Sequence, residues 1–412
     1  MTAAARRLSP ESPARAAALA AALLATAAAW VLAAHALLHT TVPSLRLPHV
    51  DPRSYFTAHY LQRADSYERF LDVDSLLGSL TLVVVLIIYA RRGARLMAQS
   101  AAGRVGTGML LGMLGFGIVW LAELPFGLAA DWWQRRHGVS HQGYLTSVLE
   151  SFTQLGGRFL FVSLALLVAM GFAGLTRRWW WALAAPLFVG LALLSVYLSV
   201  YLVPNTHPLR DSQRATEVQT LAREEGVAGT RADVQDVSRF TTAPNAESVG
   251  FGATRRVILW DTLLDGRFSR PQVRVVIAHE LGHLAHHHLL KQVGWLALFL
   301  IPASALVAFF TRSLGGLANP EAVPRALLVF VVLQLLTLPL MNIVSRRDES
   351  EADWSALRAT HDPQAARGLF ERLAVTSLAD PDPPTWSYVL YANHPTIVQR
   401  LAMTRAYAGG AR

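Results

Sequence analysis

His279 and His283 stand four residues apart with Glu280 beside the first, in the run His279-Glu280-Leu281-Gly282-His283. On a helix, positions four apart share a face, so both imidazoles reach one metal ion while Glu280 stands over the position left open for water. The chemistry this spacing serves is hydrolysis by a zinc-activated water whose proton a carboxylate removes. The five-residue pattern also arises by chance, so its setting has to agree. Pro271 suits a first helical turn, and Val273, Val275, Val276 and Ile277 give the next turns an apolar side. From Leu284 to Leu290 there is neither Pro nor Gly, and the sequence predicts that the helix runs on unbroken.

A catalytic zinc site takes three protein ligands and keeps a fourth position for water, so a third ligand must come from elsewhere in the chain. Glu349 is the candidate, in Ser345-Arg346-Arg347-Asp348-Glu349-Ser350-Glu351-Ala352-Asp353. Glu349 and Asp353 lie four apart on a predicted helix, so Glu349 can bind metal while Asp353 accepts the second N–H of a ligand histidine. Glu351, two residues from Glu349, points elsewhere. The rival ligand sits in His286-His287-His288. His287 shares a face with His283, but on an unbroken helix it stands roughly 12 Å from His279, too far for one tetrahedral ion. No Gly follows His283 to turn the chain back, as the longer three-histidine zinc pattern requires. A single histidine is usually structural, and the three-histidine run reads equally as a polar helix end near a membrane. The pair with Glu280 and the downstream Glu-x-x-x-Asp together favour a catalytic zinc centre, one ion per chain.

The elements that must hold these residues lie largely in a bilayer. Of 412 residues 53% are hydrophobic and 16% charged, and the mean hydropathy is +0.33, too apolar for an ordinary soluble enzyme of this length. Seven windows of spanning length are predicted, at 16–38, 75–90, 105–130, 158–175, 179–203, 292–311 and 325–344. The second is short and borrows from Leu71 to Leu77, which carries Asp72 and Asp74. Pro186, Pro302 and Pro339 fall inside spans, where neighbouring helices satisfy the freed backbone groups, and Glu123 must face protein or water. The first span exceeds a signal peptide's apolar region and is expected to be an uncleaved anchor.

The net charge of +9 is almost all arginine, Lys291 being the only lysine. A nucleic-acid binder would carry a basic soluble face, whereas Arg91, Arg92, Arg95, Arg104, Arg177 and Arg178 sit at span ends. There is no Cys, which excludes disulfides, thiol nucleophiles and thiolate metal sites. The chain therefore reads as 1–203 carrying five spans, 204–291 as a polar segment with the metal helix, 292–344 as two spans, and 345–412 as a second polar segment. In the first polar segment a helix is expected over Ser212 to Glu225 and strands over Val234 to Thr241 and Arg255 to Trp260, with an edge strand around Asn245 to Phe251. In the second, a Pro-rich loop (Pro381, Pro383, Pro384) precedes a final helix near Thr396 to Tyr407. Two spans separate the polar segments, so both emerge on one side.

The chain resembles the integral-membrane M48 metallopeptidases, specifically the type I CAAX prenyl protease family. The resemblance rests on Leu124-Pro125-Phe126 with Arg136-His137-Gly138, then Asn245-Ala246, Arg256-Val257-Ile258-Leu259 with Asp261-Thr262-Leu263-Leu264, and the zinc helix. Ser345-Arg346-Arg347 with Glu349 and Asp353, then His394-Pro395 with Arg400-Leu401, complete it in the family's order. It implies a mainly α, polytopic membrane protein: about seven helices form a barrel around a large hydrated chamber, and a small α+β gluzincin domain caps one end. It implies His279, His283 and Glu349 as metal ligands, Glu280 as general base, Asn245 as a binder of substrate backbone, and His394 and Arg400 as oxyanion stabilisers. Glu247-Ser248 replaces the family's usual aromatic residues after Asn-Ala, which changes the substrate-side pockets; the family enzymes that take prenylated substrates act in eukaryotic membranes whereas this arginine-rich, lysine-poor chain looks bacterial, so a prenylated substrate is not assumed.

The activity expected is that of a zinc metalloendopeptidase acting on membrane-associated or lipidated peptides, in a monomer that meets its substrate at the bilayer without nucleic acid. Quality-control cleavage of membrane proteins is the alternative, and a transporter or chaperone with a vestigial zinc fold is a third reading. The resemblance places the site in the cytoplasm, with the amino terminus outside, while the arginine-rich, lysine-poor composition points to a bacterial cytoplasmic membrane. The arginines at 6, 7 and 15 and those of the second and fourth loops argue for the reverse.

Overall fold

The computed structural model describes residues 13–97, 100–177 and 179–410. Arg6, Arg7 and Arg178, which entered the charge argument, lie outside them. The chain divides into two compact units, Met1–His39 and Thr40–Arg412. The first holds α1 (Pro13–Leu37), an Ala-rich helix that covers all but the last residue of the first predicted span.

The second unit begins with α2 (Ala58–Arg92), α3 (Gly103–Arg136), α4 (Tyr144–Thr176) and α5 (Trp180–Leu198). There follow β1 (Thr206–Pro208), α6 (Ser212–Glu224), β2 (Arg231–Gln235), β3 (Ala246–Val249), β4 (Arg256–Trp260) and α7 (Arg270–Ala285). Then come α8 (His288–Thr311), α9 (Val323–Thr360), α10 (Pro363–Ser377), α11 (Thr385–Leu390) and α12 (Ile397–Ala408). Among the described residues, six helices, α2, α3, α4, α5, α8 and α9, are long and apolar enough to cross a bilayer. In α1 the described apolar stretch, Leu24–Leu37, is shorter. The protein is thus a multi-pass integral membrane protein, and the count of seven spans rests on α1. Several spans outrun their predicted windows: α2 takes in Asp72 and Asp74 within one continuous 35-residue helix. Gly108 and Gly112 of α3 face Met170 and Leu166 of α4 where a Cβ would collide, the close approach that small residues permit between membrane helices.

Between α5 and α7 lies a four-stranded sheet in the order β1-β2-β4-β3, with β2 and β4 parallel and the outer strands antiparallel. Side chains alternate across it: Val257 and Leu259 enter the core shared with Val273, Ile277 and Leu281 of α7, while Ile258 packs with Val249 and Val200 on the other face. The strand expected at Val234 to Thr241 lies earlier, at Arg231–Gln235. The chain then turns because the Asp261 carboxylate accepts hydrogen bonds from the backbone of Val237 and Ser238, both at 3.0 Å. β1, not foreseen, adds Thr206–Pro208 to the outer edge of β2, where a proline is tolerated. Trp354 and Leu357 of α9, Phe370 of α10 and Leu401 of α12 close the same core around α7.

Candidate metal centre

The site is set by how closely two helices approach. α7 starts cleanly: Pro271 occupies its first turn and the Gln272 side chain accepts a hydrogen bond from Ser269 N at 2.9 Å. Gly282, between the two histidines, lies where a Cβ would stand 3.0 Å from Ser355 Cβ and 3.3 Å from Ala352 Cα. The missing side chain lets α7 lie directly on α9. α9 is one helix of 38 residues, so Glu349 and Asp353, one turn apart, face α7 together.

In the gap, His279 Nε2 is 3.2 Å from Glu349 Oε2, His283 Nε2 is 3.5 Å from Glu349 Oε1, and the two Nε2 atoms are 3.1 Å apart. One ligand atom from each of the three residues lies within 4.8 Å of the others. Glu349 Oε2 is buried and makes no hydrogen bond among the described residues. The proton inventory fits a cation. If His279 Nδ1 donates to Asp353 Oδ1 at 2.9 Å, its Nε2 keeps a lone pair. If His283 Nδ1 donates to His288 Nδ1 at 2.8 Å, the same holds for His283. Two lone pairs and a carboxylate then converge with no proton between them, the donor set of a borderline divalent ion such as zinc. Without metal the gap attracts a proton instead. Burial pushes the His279 imidazole down, but Asp353 and Glu349 outweigh it and raise it to about 10.

Asp353 is held in turn. Arg400 donates from Nε to Oδ2 at 2.8 Å and from Nη2 to Oδ1 at 2.6 Å, and its guanidinium lies 4.2 Å over the Phe370 ring. Two of its three nitrogens are therefore committed to Asp353. His394 brings Nε2 to 3.3 Å from Glu349 Oε2, and its Nδ1 is 2.8 Å from Asn393 Oδ1.

On the His283 side the predicted continuous helix is corrected. α7 stops at Ala285, His287 takes a left-handed conformation at φ 56°, and α8 begins at His288. The turn needs no Gly because what it gains is distant: His288, 1% exposed, reaches back to His283 and sets its Nε2 3.1 Å from Glu351 Oε2. Lys291 Nζ donates to the same oxygen at 3.1 Å and Thr41 N donates to its partner oxygen. The 12 Å separation argued against His287 thus rested on a helix that does not exist, although His287 itself lies outside the ligand group. His288 and Glu351 were not singled out by sequence reasoning; the histidine run was the only hint.

Asn245, Glu280, His394 and Arg400 line one cavity of about 310 Å³ with the three ligand residues and Asp353. Its wall is β3, whose neighbours on the chain include Asn245, and which among the described residues pairs only with β4. Asn245 O accepts from Trp260 N at 3.0 Å. Alternation along an antiparallel ladder then turns Glu247 and Val249 toward β4 and leaves the backbone groups of Ala246 and Ser248 facing outward. Burial raises the Glu247 carboxyl above its ordinary range, and the charge of Glu280 acts in the same direction.

An open edge strand, a two-histidine helix and a carboxylate from a second helix define a membrane metallopeptidase fold, and comparison with known proteins agrees. Residues 208–408 match the model of Peptidase family M48. The chain is 29% identical to the Uncharacterized metalloprotease YhfN of Bacillus subtilis over 238 residues, 55% of this chain and 56% of that protein. It is 25% identical to CAAX prenyl protease 1 of Saccharomyces cerevisiae over 291 residues, 63% of this chain and 62% of that one. The chain thus spans little more than half the length of these curated relatives. The crystal structure of S. mikatae Ste24p shares the fold at 18% identity, with a TM-score of 0.72 over 91% of this chain and 95% of that one. Residues 208–408 thus carry the family M48 peptidase sequence, and the chain is similar to a type I CAAX prenyl protease in sequence and to Ste24p in fold.

Proposed function

We propose that the protein is a zinc-dependent endopeptidase, one zinc per chain, that cleaves membrane-associated or lipidated peptides. The observation that carries this reading is the convergence of His279, His283 and Glu349 within 4.8 Å, with Glu280 on the same helix and cavity. A zinc ion there would supply Lewis acidity, acidifying a water and polarising the scissile carbonyl. Glu280 takes the proton from the attacking water and returns it to the leaving amine. The outward N–H and C=O groups of Ala246 and Ser248 hold an extended substrate as an added strand, with Asn245 at its end. His394 donates toward the developing oxyanion. Arg400, bound twice to Asp353, acts chiefly by holding Asp353, and through it His279, in place.

The Glu280→Gln variant tests the mechanism: it should keep its zinc and lose turnover by orders of magnitude, and proteolysis retained by that variant would discard the scheme. A farnesylated peptide compared with its unlipidated twin tests the substrate class, equal cleavage favouring quality-control proteolysis. We further place the site in the cytoplasm of a bacterial membrane, which a reporter fused after Arg412 checks.

A further inference from the structure

A cleft larger than the metal-centre cavity lies at the other end of the membrane helices. α8 leaves the metal end at His288 and α9 returns to it at Glu349, so the turn joining them marks the opposite end of the spans. There a cleft of about 1070 Å³ is lined by Arg104 of α3, Arg177 after α4, Trp180 and Trp181 of α5, Phe309 and Arg312 at the end of α8, and the turn at 315–320. No carboxylate is among its lining residues. Among the described residues none of the three arginines forms an ion pair, Arg312 instead lying 4.0 Å over the Phe309 ring. The segments joining the helices here, 93–102, 177–179 and 312–322, contain a single acidic residue, the exposed Glu321. Arg177 is held at φ 53°, an uncommon conformation for a side-chain-bearing residue. Like charges brought together without counter-charge repel, so the arrangement is best satisfied by an anion.

We propose that this cleft binds the headgroup of an anionic phospholipid. A phosphate suits the guanidiniums, which pair with it through two parallel hydrogen bonds. The depth points to a lipid and not to a free anion: tryptophans mark the bilayer interface, and α5 and α8 leave Leu183, Leu187, Ile301 and Leu306 exposed along the spans below the cleft, where acyl chains lie.

The test uses the full chain, purified in detergent, stripped of lipid and examined by native mass spectrometry with phosphatidylglycerol, phosphatidylcholine or inorganic phosphate added. Phosphatidylglycerol should be retained one to one in preference to phosphatidylcholine. The triple variant Arg104→Gln, Arg177→Gln, Arg312→Gln should lose roughly a hundredfold in affinity, about fivefold per charge. Arg91→Gln with Arg92→Gln, which removes charge at the same end but outside the cleft, should leave it unchanged. Three Arg→Lys replacements, which keep the charge without the two-pronged pairing, guard against misfolding and should bind phosphatidylglycerol more tightly than the Gln triple variant and less tightly than the parent. Equal retention of both lipids, or a triple variant that binds like the parent, overturns the proposal; so does inorganic phosphate binding as tightly as phosphatidylglycerol, which would mark a site for free anions.

Discussion

Replacing Asp353 by Asn separates the roles this carboxylate fills. It accepts from His279 Nδ1 at 2.9 Å and from Arg400 at 2.6 and 2.8 Å. An amide of the same shape accepts through one atom only, so either His279 loses its acceptor or Arg400 faces an N–H. Loss of the histidine's partner should weaken zinc binding about 10- to 100-fold, roughly 1.4–2.7 kcal/mol. Loss of the anion leaves Arg400, whose side chain is 11% exposed, as an unpaired buried charge, a cost of roughly 3–5 kcal/mol of stability. The stability loss should therefore exceed the affinity loss, and the two are separable. Adding Arg400→Gln removes the orphaned charge, so the double variant should recover much of the stability of the metal-free protein while its zinc affinity stays low. Thermal unfolding without metal, and zinc titration against a competing chelator, read the two quantities independently. Zinc affinity within about threefold of the parent in Asp353→Asn would refute the assignment of Asp353 as the group that orients His279.

Three further outcomes follow from the same geometry. Ser248→Pro removes an outward N–H without touching the β3–β4 ladder, so kcat/KM should fall about 3- to 10-fold with the fold intact, whereas Glu247→Pro, whose N–H faces β4, should destabilise the sheet; circular dichroism and peptide kinetics distinguish them. His288→Phe deprives His283 Nδ1 and Glu351 of a buried partner and should lower zinc affinity about tenfold or more, with an unchanged value in chelator competition counting against the relay. His279 in the metal-free protein is raised from 6.5 to about 10, so its contribution to stability is complete below the unfolded value and is lost as pH rises from about 6.5 to 10. Between those limits zinc uptake must displace this proton, so calorimetry in buffers of different ionisation heat should show about one proton released near pH 8.

The parts of the site legible in the sequence are those fixed by a four-residue repeat on one helix. His279 with His283, and Glu349 with Asp353, needed only helical geometry, and both pairs lie on the helices that spacing demanded. What escaped depends on partners far along the chain. The reversal at His287 carries no Gly, Asn or Pro signal because it is stabilised by contacts of His288 and Lys291 with Glu351, 63 and 60 residues away. The pairing of Arg400 with Asp353, 47 residues apart, is likewise a product of α12 packing beside α9. The outer strand β1 is three residues long, too brief for an alternating pattern to announce itself, and the overlong spans continue past the bilayer windows because their soluble ends remain good helix formers.

Because α9 runs from Val323 to Thr360 with Pro339 inside it, one continuous helical rod links the lipid environment to the hydrolytic pocket. Glu349 stands about 21 Å along that rod from the middle of the predicted span, so leaning it by about 5° carries the carboxylate sideways by about 2 Å. Membrane thickness sets helix inclination, and a carboxylate displaced by that distance no longer meets the two imidazoles. A bilayer thickness that leaned α9 relative to α7 would therefore weaken metal coordination, whereas one that moved the two helices together would leave it intact.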